Sequence, residues 1–147
     1  MKLYFFILIC MVFSCKNHTN SIKQSSCNDI YEIQYDKSKK YLLSKKEKDK
    51  NYFIIYIENN FNDKLKININ KKIIFDKQVI TNNQKPDDYS ERIIYKMDGN
   101  DKNIMNLQSE LNKACIEIPL DKKYRIIYLF YYQNKFIVRF SNQIRIN

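Results

Sequence analysis

The chain has 147 residues with 26 Lys and Arg against 16 Asp and Glu, a net charge of +10, and it contains one Gly, one His, two Pro and no Trp. A single Gly excludes glycine-rich phosphate loops, and a single His excludes multi-His zinc clusters. The length suits one domain. Abundant Lys, Asn, Ile, Tyr and Phe with scarce Arg and Gly match coding DNA rich in A and T, so the basic charge does not by itself require a nucleic-acid partner.

Residues 1–15 set the address. Lys2 is followed by an apolar run from Leu3 to Phe13 and a small residue, Ser14, the layout of an export signal. Eleven apolar positions are too few to cross a bilayer as a helix, which takes about 20. Val12-Phe13-Ser14-Cys15 resembles the lipobox of bacterial lipoproteins, with Phe13 standing where that family more often has a small or aliphatic residue. The resemblance implies cleavage before Cys15, a diacylglycerol thioether on its sulfur and an acyl chain on the new amino terminus. Such chains hold a protein on a membrane through about 0.8 kcal/mol per buried methylene. Lys16 stands where an inner-membrane retention signal has Asp, which implies delivery to the outer membrane of a host that has one.

Residues 16–28 carry one aliphatic side chain, Ile22, among small polar ones and read as a tether. The expected organisation is a signal peptide at 1–14, a lipidated tether at 15–28 and one domain at 29–147. Past residue 14 there are 25 basic and 16 acidic residues, a net +9. Of the four cysteines, Cys10 leaves with the signal and Cys15 is the lipidation site. Cys27 and Cys115 remain, and two thiols in an oxidising compartment pair. In the chain-entropy model that bridge stabilises by about 4 kcal/mol. His18 lies in the tether, so neither a metal site nor a histidine-activated thiol is expected in the domain.

From residue 30 the pattern is that of strands. Tyr31, Ile33 and Tyr35 alternate with polar neighbours as in a first strand. Residues 36–50 hold seven lysines around Tyr41-Leu42-Leu43 and read as a solvated connection that can also lie against anionic head groups. Tyr52-Phe53-Ile54-Ile55-Tyr56-Ile57 is apolar on both faces, which predicts a covered central strand. Residues 59–63, Asn-Asn-Phe-Asn-Asp, supply turn chemistry. Leu65, Ile67 and Ile69 then alternate with Lys64, Lys66 and Asn68, and Asn70-Lys71 turns the chain into Lys72–Ile80 as a hairpin. Residues 82–90, with Pro86, read as a surface loop, and Glu91–Met97 as a strand.

Residues 98–103 superficially suggest a cation loop, but the sixth place lacks Gly and the twelfth, Ser109, lacks the bidentate Glu, so a turn is expected. Residues 104–113 fit either a helix face of Ile104, Leu107 and Leu111 or a strand face of Met105, Leu107, Ser109 and Leu111. The neighbouring strands favour the second. Ala114–Ile118 is a strand ended by Pro119. Tyr124–Tyr132 is apolar on both faces and turns at Asn134 into Phe136–Phe140, with Ile144 and Ile146 continuing.

Seven to nine short strands with Asn-based turns predict an all-β fold, an antiparallel sandwich of immunoglobulin-like or jelly-roll type, with a lipocalin-like barrel as the alternative. No enzymatic constellation or cofactor site emerges, since Asp87, Asp88, Glu91, Asp98 and Asp101 fall in or beside turns. The candidate binding surface is Tyr124, Arg125, Tyr128, Tyr131, Tyr132 and Arg139, a mixture able to stack on sugar rings and hold anions. Tyr and Phe in strands also fill sandwich cores. The expected function is a membrane-anchored, non-enzymatic envelope module binding another envelope protein, a glycan or an anionic lipid surface, with no nucleic acid. The alternative is a carrier with a small apolar ligand inside a barrel. A contiguous exposed Tyr and Arg patch favours the first, and an enclosed apolar cavity of several hundred Å³ the second.

Overall fold

Side-chain alternation decides which way each segment faces, and ten segments become strands in the computed structural model, which describes residues 21–24, 29–36, 51–58, 61–81, 89–97, 99 and 102–143. These are β1 (Ser21–Gln24), β2 (Ile30–Tyr35), β3 (Tyr52–Ile57), β4 (Asn62–Ile69), β5 (Lys72–Ile80), β6 (Glu91–Lys96), β7 (Ile104–Ser109), β8 (Ala114–Pro119), β9 (Ile126–Tyr132) and β10 (Lys135–Ser141). They form a six-stranded sheet in the order β1-β2-β10-β9-β3-β6 and a four-stranded sheet in the order β5-β4-β7-β8. The fold is an all-β sandwich; the sheets do not close into a barrel.

Two pairings correct the expectation of a purely antiparallel sandwich. β2 runs parallel to β10 and β3 parallel to β9, because the β9–β10 hairpin inserts between β2 and β3, both far from it in sequence. β1 also lies within the stretch read as tether, paired antiparallel to β2 from Ser21↔Ile33 to Gln24↔Ile30. Residues 104–109 are strand, with Met105, Leu107 and Ser109 buried as a strand face requires, while Leu111 is carried out into the β7–β8 turn and exposed. Residues 98, 100 and 101 of the expected turn, and residues 37–50, 82–88 and 144–147, lie outside the described residues.

The interior fills from both sheets. Ile33, Phe53, Ile55, Ile57, Phe136, Val138 and Phe140 face Leu65, Ile67, Ile69, Met105, Leu107, Ile116 and Ile118, all buried. Full burial of such a side chain contributes about 1.5–3 kcal/mol. A second buried group, Ile54, Tyr56, Ile126 and Tyr128 with Phe130 against it, lies on the other face of the six-stranded sheet. β3 and β9 are therefore covered on both faces, as their sequences predict. A bulge in β5 between the partners of Ile67 and Asn68 adds Ile74 and leaves neighbouring Ile73 exposed.

Two hairpins turn in two residues, both with positive φ: Asn70 (50°) with Lys71 (68°), and Gln133 (50°) with Asn134 (58°). Both central residues of this tight turn take left-handed backbone, for which Asn then Gly is favoured. Lys71 holds φ 68° with a Cβ that disfavours it. Lys71→Gly is expected to raise stability by about 0.5–1 kcal/mol, read as a higher urea midpoint. Lys72→Gly, one residue on in extended backbone, is expected to lower it.

The two hairpin turns mark opposite ends of the sandwich. Phe61, just before β4, lies 6.4 Å from Tyr131 and 6.5 Å from Phe136 between ring centroids, so the starts of β2, β4, β6, β8 and β10 share the β9–β10 end. The Asn70-Lys71 turn, the ends of β2 and β6 and the β8–β9 connection share the β4–β5 end, where Leu120 N–H donates to the Asn103 carbonyl.

Candidate functional site

Strand parity divides the six candidate surface residues. Tyr124 and Tyr131 belong to the interior: Tyr124 packs 5.4 Å from Tyr35 and 6.0 Å from Phe140, and Tyr131 packs 5.0 Å from Phe136. Burial pushes the Tyr131 phenol above its ordinary range, with Asp29 and Asp63 adding to the shift. Arg125, half-buried ahead of β9, gives its N–H to Asn142 Oδ1 at 3.0 Å while its carbonyl accepts from Ile54 N–H at 2.8 Å. Tyr128, Tyr132 and Arg139 lie on the outer face of the six-stranded sheet.

On that face Gln34, Arg139, Tyr128, Tyr56 and Arg92 form one row across five strands. Tyr128 stacks on Tyr56 at 5.3 Å, Arg92 sits 6.0 Å above Tyr56, and Arg139 sits 5.1 Å above Phe130. Tyr89 closes over Tyr56 at 4.6 Å, and Tyr128 Oη donates to the Gln143 carbonyl at 2.8 Å. Tyr56 and Tyr128 retain only 4% and 3% of their exposure. The row is thus a sealed aromatic seam rather than an open stacking platform, and Tyr132 is the one of the four candidate rings that stands exposed. The parallel pairing of β3 with β9 creates this row, which is why sequence reasoning did not join Tyr56 and Arg92 to Tyr128.

Beside the seam runs a polar relay. Arg139 Nε donates to Gln34 Oε1 at 2.8 Å, Gln34 Nε2 donates to Glu32 Oε1 at 2.9 Å, and Lys135 Nζ reaches Glu32 Oε2 at 2.7 Å. The Gln34 amide first, then Lys135, hold the Glu32 carboxyl below its ordinary value of 4.5. A depressed carboxylate stabilises the fold above its unfolded value and loses that contribution as pH falls through its folded value. Stability of the native chain is therefore expected to drop more steeply than that of Glu32→Gln from about pH 5 to pH 3, read from urea midpoints at each pH.

The buried polar groups are occupied structurally. Asp63 accepts from Ser109 Oγ, from Leu111 N–H at 2.7 Å and from Asn112 Nδ2 at 3.1 Å. Asp63 and Ser109 are both buried, so this hydroxyl and carboxylate pin the β7–β8 turn. No group of three or more metal-ligating side chains occurs among the described residues. The N–H of Cys115 on β8 donates to Asp29 Oδ2. Cys15 and Cys27 lie outside the described residues.

The exposed chemistry is segregated between the two ends. Of the eight large hydrophobics exposed among the described residues, Ile30, Ile80, Tyr89, Leu111 and Tyr132 lie at the β9–β10 end, Ile73 and Ile104 at the other, and Ile94 between. Leu111, 71% exposed, heads the β7–β8 turn that Asp63 pins. Tyr132 pairs with Lys135, and Ile30 lies one residue before the Tyr31↔Phe136 pair of the same row. Sequence reasoning placed Tyr132 here but missed Ile30, Ile80, Tyr89 and Leu111, whose only signal was apolar character at strand ends. Clefts of about 390 and 440 Å³ lie on the outer face of the four-stranded sheet, around Lys64, Lys66 and Gln108, and between the edge strands β5 and β6. No family model matches the chain, and the comparisons with curated proteins and with solved structures likewise find no match.

Proposed function

We propose that the chain is a lipoprotein anchored through Cys15, and that its sandwich is a non-enzymatic envelope module that docks another envelope protein on the β9–β10 end. The observation that carries the docking surface is the segregation just described: five exposed large hydrophobics at one end, with two amphipathic Tyr among them, as interface cores are composed. Cleavage before Cys15 places the domain on an outer membrane through its acyl chains, and Cys27 pairs with Cys115. Support for that pairing is the Asp29 carboxylate on the Cys115 N–H, two residues along from Cys27. The ligand-carrier alternative is less well supported, because Phe53, Ile55, Leu65, Leu107 and Phe136 fill the space between the sheets.

Photocrosslinking in the native membranes tests the docking surface. A benzophenone side chain at Leu111 or Tyr132 is expected to give a discrete protein adduct, and one at Ile73 none. Leu111→Glu is expected to remove the adduct formed from Tyr132. Equal adducts from both ends, or none from either, would contradict the proposal.

A further inference from the structure

The end opposite the apolar tip is basic. Lys71 and Lys72 from the β4–β5 hairpin, Lys96 at the end of β6, Lys102 before β7, and Lys122 and Lys123 between β8 and β9 all gather there. The acids among the described residues at this end are Asp36 and Asp121, with Glu117 of β8 level with Ile73 through the Asn68 and Asn106 pairs. Asp36 Oδ2 accepts from Ser141 Oγ at 3.0 Å, and Asp121 Oδ1 accepts the Lys123 N–H at 2.9 Å. Elsewhere Lys64 lies 3.4 Å from Glu110 and 4.0 Å from Asp76, and Lys135 lies 2.7 Å from Glu32, while Lys66, Lys77 and Lys113 are spread along β4, β5 and the β7–β8 turn. Six of the eleven lysines whose side chains are described thus gather at one end.

The direction of chain entry points to the same end. β1 pairs from Ser21↔Ile33 to Gln24↔Ile30, so it runs toward the β9–β10 end and the chain enters it from the β4–β5 side. Ser21 is six residues after Cys15, a reach of about 20 Å at full extension. A lipid anchor so close holds the domain at the bilayer, where cations within a Debye length of about 8 Å feel the negative surface.

We infer that the β4–β5 end is a docking surface for the anionic head groups of the membrane that holds Cys15, and that it stands the sandwich with its apolar tip pointing away from the bilayer. This rests on the lipoprotein reading and adds an orientation to it: five of the lysines, on both sheets, face phosphate, while Ile30, Leu111 and Tyr132 are presented to a partner.

Lysine footprinting of the full lipidated chain tests it. The protein is reconstituted into vesicles of phosphatidylcholine alone or with phosphatidylglycerol, and lysines are acylated with a water-soluble reagent and mapped by mass. Lys71, Lys72, Lys96, Lys102 and Lys123 are expected to react several-fold more slowly on the anionic vesicles and to recover at high salt. Lys64, Lys77 and Lys113 are expected to react equally on both. Lys71→Gln with Lys123→Gln, both exposed, is expected to weaken the protection of Lys96 and Lys102. Equal reactivity of the two sets overturns the inference, as does protection of Lys64 and Lys113 instead, or protection by soluble heparin without protection by vesicles. The same spectra report acylation of Cys15: a lipidated chain without lysine protection refutes the orientation alone, and an unlipidated chain refutes both readings.

Discussion

Phe61→Ala is expected to destabilise the domain by about 3–5 kcal/mol, the largest effect of any single substitution considered. Phe61 retains 2% of its exposure although it precedes β4 rather than lying in it. Its ring closes the β9–β10 end of the interior against Tyr131 and Phe136, and its carbonyl accepts the Thr81 N–H at 2.8 Å and the Thr81 hydroxyl at 2.7 Å. The position joins the start of β4 to the end of β5, so the surroundings cannot collapse into the space without moving both strands. Phe61→Leu, which keeps most of the volume, is expected to cost less than about 1.5 kcal/mol. Urea unfolding reads both values; a shifted midpoint with unchanged slope assigns the loss to the folded state. A near-neutral Phe61→Ala would mean that this end of the core is not closed by the ring.

Asp63→Ala follows at about 3 kcal/mol, or a fall of about 10 °C in Tm. The carboxylate satisfies the Ser109 hydroxyl inside the sandwich and two nitrogens of the β7–β8 turn. Removing it leaves the buried hydroxyl without its acceptor and releases the turn that carries Leu111. Ser109→Ala in the same background is expected to restore part of the loss, because the two groups belong to one network and their effects do not add. Full additivity in the double-mutant cycle would show the groups to be independent. Since the apolar tip depends on this turn, Asp63→Ala should also weaken the Leu111 crosslink at temperatures where the domain remains folded.

These two residues show where sequence reasoning stops. Phe61 and Asp63 sit in a run of Asn and Asp that reads as turn chemistry, yet Asp63 shares the parity of Leu65, Ile67 and Ile69 and is drawn inward with them. Alternation was legible wherever one face met the core, as in β4, and the tight turns at Asn70-Lys71 and Asn134 were legible because Asn tolerates left-handed backbone. Pairing between distant strands leaves no local trace. The parallel partners β2 with β10 and β3 with β9 therefore stayed hidden, and with them the Tyr56, Tyr128 and Arg139 row. The same limit explains the candidate surface: aromatics at successive positions of β9 point alternately inward and outward, so Tyr131 packs inside while Tyr132 is exposed. End-to-end segregation of Leu111 and Tyr132 from Lys71 and Lys123 is a property of the assembled sheets, since these residues are interleaved along the chain.

On the proposed lipoprotein reading, the opposition of an apolar tip to a basic base would give the anchor a mechanical meaning. A tether alone would leave the domain free to tumble at the surface, whereas lysines gathered where the chain enters would fix which end a partner meets. Everything in that picture depends on the chemistry of Cys15. Intact mass of the protein purified from its own membranes, before and after reduction, tests it most directly. The expected result is cleavage before Cys15 with diacylglycerol and acyl groups attached, together with a gain of two hydrogens on reduction from the Cys27–Cys115 bridge. An unacylated Cys15, or thiols that are free before reduction, would contradict the anchor and the bridge respectively.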